Sequence, residues 1–187
     1  PLVQEPWDTI HIDHVGPLSE SKQGFKHILT IIDRGTNFVL AIPVKDLKAT
    51  TQARVLYQEV FCKFGIPRKI ISDRGTAFKN EFINEYLAKR LGIKWTFCSP
   101  QNPRANGKIE RVHRTLKATL QAFCRHQHDE WQTVLQPFVW TMNTTACSAI
   151  QHHTPHMMMF GKHPRHPLDL QTKTQKFRSQ DEQLAAA

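Results

Sequence analysis

Residues 50–72 read TTQARVLYQEVFCKFGIPRKIIS, and within them the apolar pattern changes period. Ala53, Leu56, Tyr57, Val60, Phe61 and Phe64 recur every three or four residues, so the spacing predicts a helix over Thr50–Phe64. Gly65 ends it and Pro67 prevents its continuation. Arg68–Ser72, RKIIS, is then a short apolar strand. A strand that returns after a helical crossover joins its sheet parallel to an earlier strand. The chain is therefore expected to be α/β.

Upstream the period is two. In Trp7–Val15, WDTIHIDHV, Ile10 and Ile12 point one way and Thr9, His11 and Asp13 the other, and Gly16-Pro17 closes the strand. His27–Ile32, HILTII, is a nearly continuous apolar run, as a central strand buried on both faces would be. Phe38–Val44, FVLAIPV, is a third strand whose Pro43 suits an edge. The turns between them are short, which implies an antiparallel meander. Downstream, Phe78–Leu91 reads as a helix with Phe82, Tyr86 (or Ile83), Leu87 and Leu91 on one face, and Ile93–Phe97 as a fifth strand. Ser99–Gly107, SPQNPRANG, reads as a loop, followed by an amphipathic helix with Ile109, Val112, Leu116, Leu120 and Phe123 inward. Glu110, His113, Arg114, Lys117 and Gln121 are assigned to its solvent face. Asp129 is placed to cap a helix over Glu130–Asn143 that Pro137 should kink or split, and Thr154-Pro155 to start a short helix ending at Gly161. The expected fold is thus an α/β domain over residues 1–170, a five-stranded mixed sheet flanked by helices. Residues 171–187 read as a polar linker or tail.

The charge is uneven. The net charge is +9, yet Phe61–Arg125 alone holds 14 Lys/Arg against 4 Asp/Glu, and the rest of the chain is close to neutral. A concentrated basic region favours a polyanionic partner, most simply nucleic acid. Cys62, Cys98, Cys124 and Cys147 form no CxxC pair and read as thiols of a reducing compartment, nucleus or cytoplasm. Five histidines, His152, His153, His156, His163 and His166, crowd one segment without helical metal-ligand spacing, and are read as a polar loop and short helix. No apolar run spans a membrane, and the N-terminus is not a signal peptide. It lacks an initiator Met, as a piece of a longer polypeptide would.

Two aspartates lie at strand ends, Asp13 and Asp73, and 36 residues separate the second from Glu110. Neighbouring strands would bring the aspartates to one sheet edge, where ligand sites of such sheets form. Three carboxylates suit Mg²⁺, which takes oxygen ligands and keeps open positions for water or phosphate. Each acid also has an ordinary reading: a DRG turn for Asp73, a solvent-facing strand position for Asp13, a helix's first turn for Glu110. Asp33 follows an apolar strand too and is taken as structural.

The ordered segments WDTIHIDHVGPL, FKHILTIIDRGTNFVLAIPVK, FGIPRKIISDRGTAF, SPQNPRANGKIERVHRTLK and TPHMMMFGKHPRHPLDL resemble the catalytic core of retroviral and gypsy-type LTR-retrotransposon integrases over about Glu5–Leu170. The resemblance implies an RNase H-like fold and a D,D,E triad of Asp13, Asp73 and Glu110. It implies two divalent ions, Mg²⁺ or Mn²⁺, held by that triad, and a dimer or higher oligomer on element-end and target DNA. The implied reaction is polynucleotidyl transfer: 3′-end processing, then strand transfer. The zinc-binding and C-terminal DNA-binding domains of such integrases have no counterpart in this stretch. Asn106, Lys108, Arg111, Arg114 and Lys117 are the candidate DNA contacts, Arg114 and Lys117 foremost because they share Glu110's face, and Asn106-Gly107 is expected to let the loop close on DNA. His14, Arg74, Gln101-Asn102 and His113 depart from the usual family pattern. The alternatives are an RNase H-like nuclease or transposase, and a domesticated domain that binds DNA or protein without catalysis.

Overall fold

The computed structural model describes residues 5–73, 75, 78, 89–97, 103–123 and 130–165, with the side chains of 103–106 and 108 outside that set. Most of the helix predicted for Phe78–Leu91 falls outside it, as do Arg74, Gln101-Asn102, Asp129, His166 and the tail.

The sheet runs β3-β2-β1-β4-β5. Its strands are β1 Thr9–Val15, β2 His27–Asp33, β3 Val39–Val44, β4 Lys69–Ser72 and β5 Lys94–Phe97. The first three form the expected antiparallel meander. β4 returns parallel to β1, and β5 parallel to β4. The crossover to β4 is helical throughout, α1 Ala49–Val55, a π-helical stretch Leu56–Phe61 and α2 Cys62–Phe64, and Gly65 ends it at φ 91°.

Both faces of the sheet are covered. Ile10, Ile12, Leu29, Ile31 and Ile70 pack with Leu56, Val60 and Phe61 of the crossover and with Phe78. On the other face Val15, Ile28, Ile32, Val39 and Ala41 pack against α3 Pro103–Phe123 and α4 Gln132–Thr144. Burial on both sides explains why β2 reads as an unbroken apolar run.

Three expectations about the second half are corrected. The helix carrying Glu110 begins at Pro103, about a turn earlier than the loop reading allowed, so Asn106 and Gly107 are helical and form no hinge. Proline suits a helix start, and a long packed apolar face outweighs the modest cost of one internal glycine. Nothing lies within 4 Å of a Cβ built on Gly107, so no close approach demands a glycine there. Glu110 accordingly sits in the second turn or beyond, not the first. Finally, Pro137 does not split its helix: α4 is one element on both sides of it. Pro137 and Thr133, whose carbonyl loses its usual partner, are both exposed, while Leu135 and Phe138 anchor the helix on either side. The short helix α5 Pro155–Phe160 forms as expected, with the Thr154 hydroxyl accepting from the Met157 N–H at 3.2 Å.

Two buried polar residues fix the frame. Asp33 is fully buried and accepts from the Trp7 N–H at 3.1 Å, the Thr36 N–H at 2.9 Å and the Thr36 hydroxyl at 2.7 Å. It is structural, as its sequence context suggested. Asn143 of α4 accepts from the Val39 N–H and donates to the Val39 carbonyl, each at 2.8 Å, on the outer side of edge strand β3.

Candidate active site

The parallel β1–β4 ladder ends with Ile12 opposite Ser72. The next rung sets Asp13 beside Asp73, just past the end of β4, with adjacent strands ~4.8 Å apart. Ser72 braces this end: its hydroxyl accepts from Trp95 Nε1 at 2.9 Å and donates to the Asp73 carbonyl at 3.0 Å. Asp73 Oδ1 accepts from the Gly75 N–H at 3.0 Å. A Cβ at Gly75 would lie 2.9 Å from that oxygen, so a side chain there must displace the carboxylate. Gly75→Ala is therefore expected to leave the melting temperature nearly unchanged while weakening divalent-cation binding about tenfold, measured by titration calorimetry. Unchanged affinity would show that the Asp73 carboxylate has no fixed position to lose.

Ile109, Val112, Leu116 and Leu120 are buried and set the rotation of α3 on the sheet. That rotation leaves Glu110 at the cleft margin. One cleft is lined by His11, Ile12, Asp13, Ile71, Ser72, Asp73, Ile109 and Glu110. The structure thus brings together all three acids singled out in the sequence. They share one cleft's walls and not a tight cage: among the described residues no three His, Cys, Asp or Glu close into a preformed ligand group.

Electrostatics follow from this placement. The Asp13 carboxyl is raised to about 6, first by burial and further by Asp73 and Glu110, while the His14 N–H and Lys117 pull it down. A cation would relieve the same repulsion. Three hard oxygen donors around an open cleft fit Mg²⁺ in chemistry and number.

Asp13 is held from both sides of β1. The His14 N–H donates to Asp13 Oδ1 at 2.7 Å. The His14 ring stacks on Phe78, centroids 4.6 Å apart, and its Nε2 lies 2.9 Å from Oε1 of the fully buried Gln52, whose amide donates to the Asp46 carbonyl. On the α3 side, the Thr30 hydroxyl donates to the Asp13 carbonyl at 3.0 Å, and His113 Nε2 lies 2.6 Å from that hydroxyl oxygen. His113 Nδ1 is 3.7 Å from Asp13 Oδ2. Burial, then Lys117 and His14, lower the His113 imidazole to about 4, so this pair is not an ion pair at neutral pH.

His113 corrects the sequence reading, which put it on the solvent face. Positions 109, 113, 116 and 120 fall at i, i+4, i+7 and i+11, so the row that carries the buried leucines also carries this histidine inward. The spacing was legible; histidine's polarity disguised it.

The basic candidates separate. Lys117 is near enough to Asp13 to lower its pKa. Arg114 and Lys117 are both exposed on α3. Arg111, also exposed, borders a separate apolar cavity with Ile32, Val39, Met142 and Cys147. Asn106 and Lys108 lie on the backbone of α3, their side chains outside the described set.

Residues 4–103 match the family described as integrase core domain. The Retrovirus-related Pol polyprotein from transposon 412 of Drosophila melanogaster is 31% identical over 159 residues, which is 85% of this chain and 13% of that polyprotein. The Pro-Pol polyprotein of simian foamy virus type 3 is 32% identical over 157 residues, 84% of this chain and 13% of its own length. The chain thus spans about an eighth of these relatives. Among solved structures, the catalytic core domain of BIV integrase superposes with TM-score 0.64 at 24% identity, over 83% of this chain and 95% of that one. The HTLV-2 integrase catalytic core domain in complex with magnesium superposes with TM-score 0.64 at 16% identity, over 83% and 97%. At that identity the likeness shows the fold, the RNase H-like arrangement of sheet and helices. With the matched segment carrying Asp13 and Asp73 on the adjacent strand ends described above, this chain belongs to the integrase core domain family.

Proposed function

We propose that the chain is a working polynucleotidyl transferase that trims the 3′ ends of element DNA and joins them to target DNA. The observation that carries this reading is the meeting of Asp13, Asp73 and Glu110 on one cleft. Asp13 and Asp73 would hold the metals jointly, and Glu110 would complete the second site. Bound there, two divalent cations would neutralise the phosphodiester and clamp its attacking and leaving oxygens.

The chain's own residues do the rest. The His14 backbone N–H holds the Asp13 carboxylate and the Thr30 hydroxyl holds the Asp13 main-chain carbonyl, so the acid is oriented before DNA arrives. Lys117 and Arg114, beyond Glu110 along α3, attract the phosphate backbone. One cleft serves both steps. Water attacks the phosphodiester first, and the 3′-hydroxyl so freed then attacks a target phosphodiester, displacing a target 3′ oxygen. The magnesium in the HTLV-2 core supports the metal assignment, and the dimeric and trimeric forms of that core support action as an oligomer. The absence of a CxxC pair supports a reducing compartment, nucleus or cytoplasm.

The direct test is strand transfer by the parent polypeptide on DNA carrying the element's ends. Product that requires Mg²⁺ or Mn²⁺ and vanishes with chelator is expected. DNA binding without any product under either metal would favour a domesticated binding domain. For the basic face, reversing both Arg114 and Lys117 to Glu should weaken DNA binding at least tenfold at low salt and lower the slope of log affinity against log salt by about two. Unchanged affinity would return that face to ordinary solvent exposure.

A further inference from the structure

The hydrogen bonds around Thr30 decide which nitrogen of His113 carries a proton. Thr30 has one hydroxyl hydrogen, and it donates that hydrogen to the Asp13 carbonyl at 3.0 Å. The Thr30 oxygen can therefore only accept from His113 Nε2, 2.6 Å away. Nε2 is the protonated nitrogen, and in the neutral ring Nδ1 bears a lone pair. That lone pair lies 3.7 Å from Asp13 Oδ2, too far for a hydrogen bond between them. Two electron-rich groups thus face each other beside the cleft, held there by a fixed tautomer on a half-buried ring.

A cation would join them. Two donors bound to one ion at ~2.1–2.2 Å stand ~3.0–3.7 Å apart, depending on the bond angle. We propose that His113 Nδ1 is an additional, nitrogen ligand of the ion held by Asp13, so that this site favours Mn²⁺ over Mg²⁺. The inference rests on the reading of the cleft as a divalent-metal site and adds to its all-oxygen triad. Imidazole is a softer donor than carboxylate: Mg²⁺ gains little from it, whereas Mn²⁺ accepts both nitrogen and oxygen. Thr30 would act as the outer-shell partner that orients a metal-bound histidine through its other nitrogen. The sequence signal is the departure already noted, a histidine three residues after the third acid.

The test is nitrogen hyperfine spectroscopy on the full chain loaded with Mn²⁺ alone, without DNA. Wild type is expected to show coupling to a directly bound imidazole nitrogen, and His113→Asn, which has no imidazole, is expected to lose it. By calorimetry His113→Asn should weaken Mn²⁺ about tenfold and change Mg²⁺ less than threefold. Metal-free melting curves of the two proteins show whether the variant is folded, and His113→Gln serves as the second variant should Asn not fold. Mn²⁺ binding without nitrogen coupling, or coupling that persists in the folded variant (His11 also lines the cleft), overturns this inference and leaves the triad standing. No Mn²⁺ binding at all, with Asp73→Asn indistinguishable from wild type, overturns the metal reading as well.

Discussion

Glu110→Gln and Asp73→Asn are each expected to reduce strand transfer by about a thousandfold or more, a loss of about 4 kcal/mol of transition-state stabilisation. Both substitutions keep size and shape and remove a formal charge. Both side chains are exposed at the cleft, so neither contributes packing to the core. Asp73→Asn retains an oxygen that can accept from the Gly75 N–H, preserving the local turn. Thermal melting of the metal-free variants should therefore lie within a few degrees of wild type. The stabilisation that saturating Mg²⁺ or Mn²⁺ gives the wild type, through binding to the folded state alone, should shrink in both. The pairing of a lost reaction with an intact fold separates a ligand from a structural acid. Wild-type turnover in either variant would remove that residue from the triad.

Asp33→Ala is expected to have the largest effect on stability, about 3–5 kcal/mol. The carboxylate sits at the end of β2 with no solvent exposure and takes three hydrogen bonds. Truncation strands the Trp7 and Thr36 backbone N–H groups in the interior and opens a cavity under the β2–β3 turn. The Trp7 side chain, packed on Phe64 with ring centroids 4.6 Å apart, loses the anchor of its left-handed backbone at φ 65°. Urea denaturation should show the midpoint falling with little change in slope. Asp33→Asn should cost less, since its oxygen can still accept from Trp7 while its amide faces the Thr36 donors. A loss below 1 kcal/mol for Asp33→Ala would mean that water replaces the carboxylate without penalty.

Asp33 and Asp13 show how far residue order alone separates structure from chemistry. Both are strand acids near a turn. An identical RGT follows Asp73, so the turn alone separates neither acid; what marks Asp33 as structural is its burial on the Trp7 and Thr36 donors. Asp13 ends its strand without such a turn, and the helical crossover predicts that β4 returns parallel to an earlier strand; that this strand is β1, which sets Asp13 beside Asp73, is seen only in the fold. The antiparallel meander, the edge position of Pro43 and the two-sided burial of β2 were legible for the same reason: period and turn length constrain topology. What stayed hidden depended on packing at a distance. The start of α3 at Pro103 carries the helix through Asn106 and Gly107, against their local preferences, with its buried face beginning only at Ile109. Pro137 is tolerated within α4 on its exposed face, between the buried Leu135 and Phe138. His113 follows the spacing of the buried face, and its polarity disguised that until the fold showed Thr30, on β2, as its partner. The separation of Arg111 from Arg114 and Lys117 follows from the rotation of α3, which a helical wheel fixes only relative to the core.

The carboxamide of Asn143 occupies the outer rung of β3 as a neighbouring strand's peptide group would, taking both the donor and the acceptor of Val39. Sheet edges invite recruitment, since any extended segment can zip onto open backbone groups. Here that rung is already filled by a side chain from α4, so a visiting strand would have to evict it before pairing through Val39. Two copies of this chain laid edge to edge would meet the same obstacle, and could not join their sheets through this rung without first displacing the carboxamide. A single amide from a helix thus closes one rung of a strand edge, two strands away from the strand that carries Asp13.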